Sequence, residues 1–379
     1  MTAYAEAELP SGVSRRRVET ATGLSMHCLE AGRGDGARPL VLLLHGFPEL
    51  AYSWRHILPA LGDAGFWAIA PDQRGYGLTT GWTADFDDLA PFTIGALVRD
   101  THALVAALGR DDVAAVIGHD FGSPVAGSCA LMRPDVFRSV IMMSAPFVPP
   151  QPLPLGEPPP PTDADAIHRD LRALDRPRKH YQWYYSEPQA AGELLNPPQG
   201  LSDFLRAYYH MKSADWPDNK PYRLNGWTAD ALAQMPTYYV MDAATTMAEA
   251  VGPHMPSAAT IAANSWLTNA DLAIYVDAFQ RSGFQGSLNW YRCRTTSANT
   301  PEMALFAGRI INVPAAFIAG DMDWGIEQTP GAREAMAAAC TDWRGETLVP
   351  NAGHWVQQER PTDVIEGVLA FVTAVGGNA

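Results

Sequence analysis

Apolar residues gather in short runs through the first third of the chain, at Leu40–Leu44 and at residues 66–70, 113–117 and 137–143. Runs this short, bounded by turn residues, predict strands buried on both faces. Between them the period changes. Residues 52–61 read as a helix, and 93–108 carries Ile94, Leu97, Val98, Leu104, Val105 and Leu108 at helical spacing. A third helix is predicted over 121–132. Strands alternating with helices imply an α/β fold, a mostly parallel, doubly wound sheet covered on both faces.

The alternation then stops. Nine of the sixteen residues from 146 to 161 are proline, which predicts an extended, stiff connector, either a plain linker or a polyproline docking segment. Residues 164–299 read as mostly helical and are rich in Tyr and Trp. Strand signals return at 314–318 and 346–349, and an amphipathic helix follows over 361–375. The simplest organisation is one core, residues 1–147 and 302–379, with a proline-rich connector and helical lid inserted at 148–301.

A formal charge of −14 argues against nucleic acid and anionic membrane surfaces as partners. Cys28, Cys129, Cys293 and Cys340 are dispersed, without a C-x-x-C pair. Residues 1–19 lack an apolar core and contain Arg15-Arg16-Arg17, and no apolar run approaches the ~20 residues of a membrane span. A soluble cytoplasmic protein with reduced thiols is expected, as monomer or homodimer.

Candidate chemistry begins at Gly118-His119-Asp120-Phe121-Gly122, between a predicted strand and a predicted helix. Small residues flank Asp120 as a sharp strand–turn–helix requires, and the helix N-terminus favours an anion there. A carboxylate nucleophile attacks alkyl rather than acyl carbon. Turnover then needs a base to activate water and an acid to orient that base. His354, in Ala352-Gly353-His354-Trp355, is the candidate base. Asp321 and Asp323 follow the strand at 314–318; Asp323 is favoured as the acid and Asp321 stays an alternative. After Leu40–Leu44 comes His45-Gly46-Phe47-Pro48, whose Phe47 amide could form an oxyanion hole with that of Phe121.

Together these residues resemble the epoxide hydrolases of the α/β-hydrolase superfamily, over nearly the whole chain. His45-Gly46-Phe47-Pro48-Glu49, Asp72-Gln73-Arg74-Gly75-Tyr76-Gly77, Gly118-His119-Asp120 and Gly353-His354-Trp355-Val356-Gln357 carry the resemblance in the core. In the lid, Tyr181-Gln182-Trp183-Tyr184-Tyr185 resembles the segment of the family's first epoxide-binding tyrosine. Tyr275, ahead of Gly283-Phe284-Gln285-Gly286-Ser287-Leu288-Asn289-Trp290-Tyr291-Arg292, is matched to the second.

The resemblance implies an α/β-hydrolase core with an inserted lid, and conversion of an epoxide and water to a vicinal diol. Asp120 would form the ester, Tyr181 and Tyr275 would hold the epoxide oxygen, and His354 with Asp323 would direct water. His45, Pro48, Trp183 and Trp355 would line the pocket for a small, largely apolar epoxide. Neither metal nor organic cofactor is required. Phe121 and Ser123 depart from the family's usual Trp and Gly and bear on substrate choice. Two rivals remain: a haloalkane dehalogenase, which would want an indole donor where Phe121 stands, and a catalytically silent hydrolase-fold binding protein.

Overall fold

The computed structural model describes residues 3–34, 37–153 and 166–376. Ten strands occur among them: β1 Val13–Glu19, β2 Ser25–Ala31, β3 Leu40–Leu44, β4 Trp67–Pro71, β5 Ala115–His119, β6 Val140–Met143, β7 Arg178–His180, β8 Val240–Asp242, β9 Ile311–Gly320 and β10 Cys340–Val349. Eight form one sheet in the order β1-β2-β4-β3-β5-β6-β9-β10. From β4 to β10 the neighbours are parallel, and every residue of β3, β4, β5 and β6 is buried. Unbroken apolar runs suit exactly this position, with helices on both faces.

Departing from β3, the chain adds β4 on one side and β5 on the other. The order reverses there, and a crevice opens beyond the carboxyl ends of the strands. Helix Gly122–Met132 follows β5, while helix Ile94–Ala107 begins at Thr93, whose hydroxyl accepts the Ala96 amide hydrogen.

Some elements differ from expectation. β1 and β2 were not legible as strands because neither carries an unbroken apolar run; Arg15, Arg16 and Arg17 lie in β1, an edge strand, where Arg16 pairs with Glu30 at 2.9 Å. The helix expected over 52–61 is split into a 3₁₀ turn, Ala51–Trp54, and an α-helix, Ile57–Asp63. β9 and β10 run longer than their apolar segments, since parallel pairing carries the backbone past them.

The insertion between β6 and β9 contains helices Leu201–Lys212, Asn269–Ser282 and Gln285–Thr295, together with the antiparallel pair β7–β8, which helical periodicity did not reveal. Thr268 and Asp271 form a capping box at the start of Asn269–Ser282. Polar bonds tie lid to core: Trp290 Nε1 donates to the Arg74 carbonyl at 3.1 Å, and Trp355 Nε1 to the Tyr209 carbonyl at 2.9 Å. The run of four prolines at 158–161 lies outside the described residues. Among the described residues no helix is long and apolar enough to cross a membrane.

Candidate active site

Asp120 leaves β5 with φ of +50°, a backbone conformation costly for any residue with a side chain. The surroundings enforce it. A Cβ on Gly118 would strike the Gly122 carbonyl, one on Gly122 the Leu44 carbonyl, and one on Gly46 the Asp120 side chain itself. The Asp120 amide still bonds the Met143 carbonyl of β6 at 3.1 Å, so the turn is anchored in the sheet as it bends away.

The two carboxylate oxygens are treated differently. Oδ1 accepts the Phe47 amide hydrogen at 2.7 Å. Oδ2 lies 3.2 Å from Nε2 of His354, a close charge contact without hydrogen-bond alignment, and Nε2 has no aligned partner among the described residues. Burial opposes ionisation of Asp120, but His354, Lys212 and His119 outweigh it and hold the carboxyl below its usual range.

His354 follows β10 and is 2 % exposed. Its Nδ1 lies 3.0 and 3.1 Å from the oxygens of Asp323, which is itself buried and accepts the Gly325 amide hydrogen at 2.6 Å. With Nδ1–H donated to Asp323, the Nε2 lone pair faces Asp120. Burial lowers the affinity of the ring for a proton and Lys212 repels one; Asp323 and Asp120 prevail, raising the pKa to about 8. Asp321, two residues from Asp323, is exposed, and its amide continues the ladder to Val349. Only one of the two acids reaches the histidine.

A further pair stands behind the site. His119 places Nδ1 against Glu49 and Nε2 2.7 Å from the His354 carbonyl. The His354 carbonyl can only accept, so Nε2 of His119 donates to it while Nδ1 meets the Glu49 carboxyl. Sequence reasoning gave neither residue a role, because a buried histidine in a strand has no distinguishing pattern.

The pocket above Asp120 encloses about 60 Å³ and is lined by Phe121, His354, Tyr181 and Tyr291 among others. The Tyr181 and Tyr291 rings are 5.8 Å apart. Burial first, then the Asp120 charge, pushes Tyr181 up to about 12 and Tyr291 upward as well, so both hydroxyls keep their protons.

Tyr275 is not there. It is fully buried on helix Asn269–Ser282, with its hydroxyl bonded to Ser53 Oγ at 2.8 Å and Gln358 Oε1 at 3.0 Å. Tyr291, sixteen residues later on helix Gln285–Thr295, occupies the expected place (291 − 275 = 16). The signal was available: Tyr291 lies inside the quoted segment that ends at Arg292, and Trp290 beside it anchors that helix to Arg74.

Four other expected wall residues also lie outside the pocket lining. His45 bonds Gly46 and Gln73 with its two ring nitrogens; the Pro48 carbonyl accepts from Tyr209. Trp183 stacks on His168, and Trp355 packs beneath Tyr209 at 4.4 Å. Each is spent on structure. The lining is also less apolar than expected, with His180, Gln182, Arg294 and Gln328 in it. Phe121 contributes its ring to the wall, edge-on to Trp290 and Tyr291. Among the described residues no group of His, Cys, Asp and Glu side chains is disposed to hold a metal ion.

Asp120, Asp323 and His354 lie at the carboxyl ends of β5, β9 and β10 of an α/β-hydrolase-fold enzyme, and residues 39–184 match the alpha/beta hydrolase fold family. The chain is 33% identical over 364 residues to epoxide hydrolase A of Mycobacterium tuberculosis, covering 96% of this chain and 99% of that one. It is 29% identical over 372 residues to an epoxide hydrolase of Caballeronia sordidicola, covering 97% and 96%. Among solved structures, an epoxide hydrolase from an endophytic Streptomyces superposes with a TM-score of 0.79 at 30% identity, covering 97% of each chain. The chain belongs to the epoxide hydrolase family.

Proposed function

We propose that this enzyme converts an epoxide to a vicinal diol through an ester on Asp120. The observation that carries the reading is the division of the carboxylate: Oδ1 is held by the Phe47 amide while Oδ2 faces His354 and the pocket walls bearing Tyr181 and Tyr291. Oδ2 attacks one epoxide carbon, and the C–O bond to that carbon breaks. The departing oxygen takes a proton from one of the two tyrosine hydroxyls and a hydrogen bond from the other.

Ester formation consumes the Asp120 charge. His354 then loses one of the two anions that favour its protonation and becomes a better neutral base. It removes a proton from water, which attacks Cγ. The oxyanion that forms on Oδ1 is stabilised by the Phe47 amide, already 2.7 Å away, and by the Phe121 amide at the start of helix Gly122–Met132. Collapse breaks the Cγ–Oδ2 bond and restores the carboxylate; the two protons of the attacking water, one carried by the imidazolium that Asp323 stabilises, pass to the released diol oxygen and to the tyrosinate.

A second cavity of about 260 Å³ shares Phe121, Pro124, Pro146, Val148 and Arg294 with the first and adds Ile94, Phe147 and Met303. It suits an apolar substituent on a small epoxide. A cytoplasmic location belongs to the same proposal and rests on the four free, dispersed cysteines.

A single turnover in heavy-oxygen water tests the route. The first diol should carry no label, because its new oxygen comes from Asp120, and the label should enter the Asp120 carboxylate. Label in the first diol would overturn the covalent path.

A further inference from the structure

Lys212 takes no part in the steps above, yet its side chain ends beside them. It is the last residue of the lid helix Leu201–Lys212 and is 3% exposed. Its Nζ lies 5.1 Å from the ring centre of Trp355, 5.2 Å from that of Tyr239 and 5.3 Å from that of Tyr208. A methylene stem packs against many surfaces, but an ammonium among three rings is held as a cation, because ring faces present negative charge. The helix C-terminus adds to the attraction.

The backbone of the same residue positions the histidine. The His354 amide donates to the Lys212 carbonyl at 2.8 Å. Gly353 lies so close that a Cβ there would meet the Lys212 carbonyl and the Ala214 nitrogen. Glu359 closes the joint, accepting from the amides of Ala214 at 2.8 Å and of Gly353 and Trp355 at 2.9 Å. The end of the lid helix and the histidine loop are therefore one mechanical unit.

Charge gives this contact a chemical consequence. His354 is faced by Asp323 from the loop after β9, by Asp120 from the turn after β5, and by Lys212 from the lid. His119 on β5 stands 5.1 Å away, ring to ring, with Glu49 against its Nδ1. Among the charges that act on the ring, two are carboxylates and one is an ammonium. The ammonium works against the two carboxylates for the proton of the imidazole, and a protonated imidazole cannot activate water. Burial lowers the proton affinity of Lys212, and the charges of Asp120, Asp323 and Glu49 offset this in part.

We propose that Lys212 is a positioning residue for ester hydrolysis: its caged ammonium opposes protonation of His354 while the ester is in place, and its carbonyl fixes the histidine loop beneath the lid. This rests on the reading of His354 as the base.

The test is an NMR titration of the His354 imidazole and the Lys212 ammonium in the full-length resting enzyme, without substrate. It is paired with the pH dependence of ester breakdown in the wild type, K212M and K212R. Lys212 should be charged throughout the pH range in which ester breakdown is measured. K212M should raise the His354 midpoint by about one pH unit and, below both midpoints, slow ester breakdown about tenfold, whereas K212R should remain near the wild type.

An uncharged Lys212 in the wild type would overturn the proposal, and this measurement needs no variant to fold. So would a K212M enzyme that loses thermal stability while its His354 midpoint stays in place. A shifted midpoint in an enzyme that turns over no epoxide would overturn the substrate reading and leave the effect of Lys212 intact.

Discussion

Oδ1 of Asp120 accepts the Phe47 amide hydrogen at 2.7 Å, which fixes the carboxylate plane and leaves Oδ2 facing His354. On the proposed route the attacking oxygen and the future oxyanion are thus distinguished before any substrate arrives. Gly46 makes this possible, because a side chain there would occupy the space of the Asp120 carboxylate. Gly46→Ala should displace the nucleophile and lower kcat/KM about a hundredfold. Steady-state diol formation, with circular dichroism to confirm folding, checks it.

Asp120→Asn removes the attacking oxygen while retaining the shape of the turn. Diol formation should fall by roughly three orders of magnitude or more. The corresponding His354→Gln variant should instead react once and stop. Mass spectrometry should find one substrate equivalent on the peptide containing Asp120, and a folded variant with no adduct would remove His354 from the second step.

The two lid tyrosines are separable from Tyr275 by experiment. Tyr181→Phe and Tyr291→Phe should each slow ester formation by about 10²-fold, the ordinary scale for loss of a proton donor. Tyr275→Phe should leave that rate nearly unchanged and cost about 1–3 kcal/mol of stability, since Ser53 and Gln358 lose a buried partner. Stopped-flow rates and denaturant midpoints distinguish the two classes. The reverse pattern would restore Tyr275 to the pocket.

Acid should weaken the second step before the first. His354 has a pKa of about 8 in the resting enzyme, raised by Asp323 and Asp120 against burial and Lys212. The ester lacks the Asp120 charge, so the ring's pKa there should fall below 8. Since the neutral ring is the active form, ester breakdown should decline as pH drops through that lower value. Asp120 is held below the ordinary carboxylate range, so ester formation should persist to more acid pH. Single-turnover rates across the pH range should show the ester accumulating on the acid side.

How much of this was legible depends on whether a feature is local. The strands β3 to β6 appear as apolar runs because parallel strands are buried on both faces, and the nucleophile turn appears because Gly118 and Gly122 flank Asp120 closely enough to be read in one window. β1 escaped notice because an edge strand carrying three arginines has no apolar run, and β7–β8 because three-residue strands have no period.

By itself the sequence determined the chemistry available: an aspartate at a strained turn, a histidine after the last strand and an acid before it, in the order this fold requires. The tertiary structure alone decided which of the repeated residue types is used. Asp323 rather than Asp321 meets His354, and Tyr291 rather than Tyr275 faces Asp120. Residues of one type are chemically equivalent along the chain. They become different only when helices pack, because packing turns one hydroxyl toward the pocket and commits the other to Ser53 and Gln358.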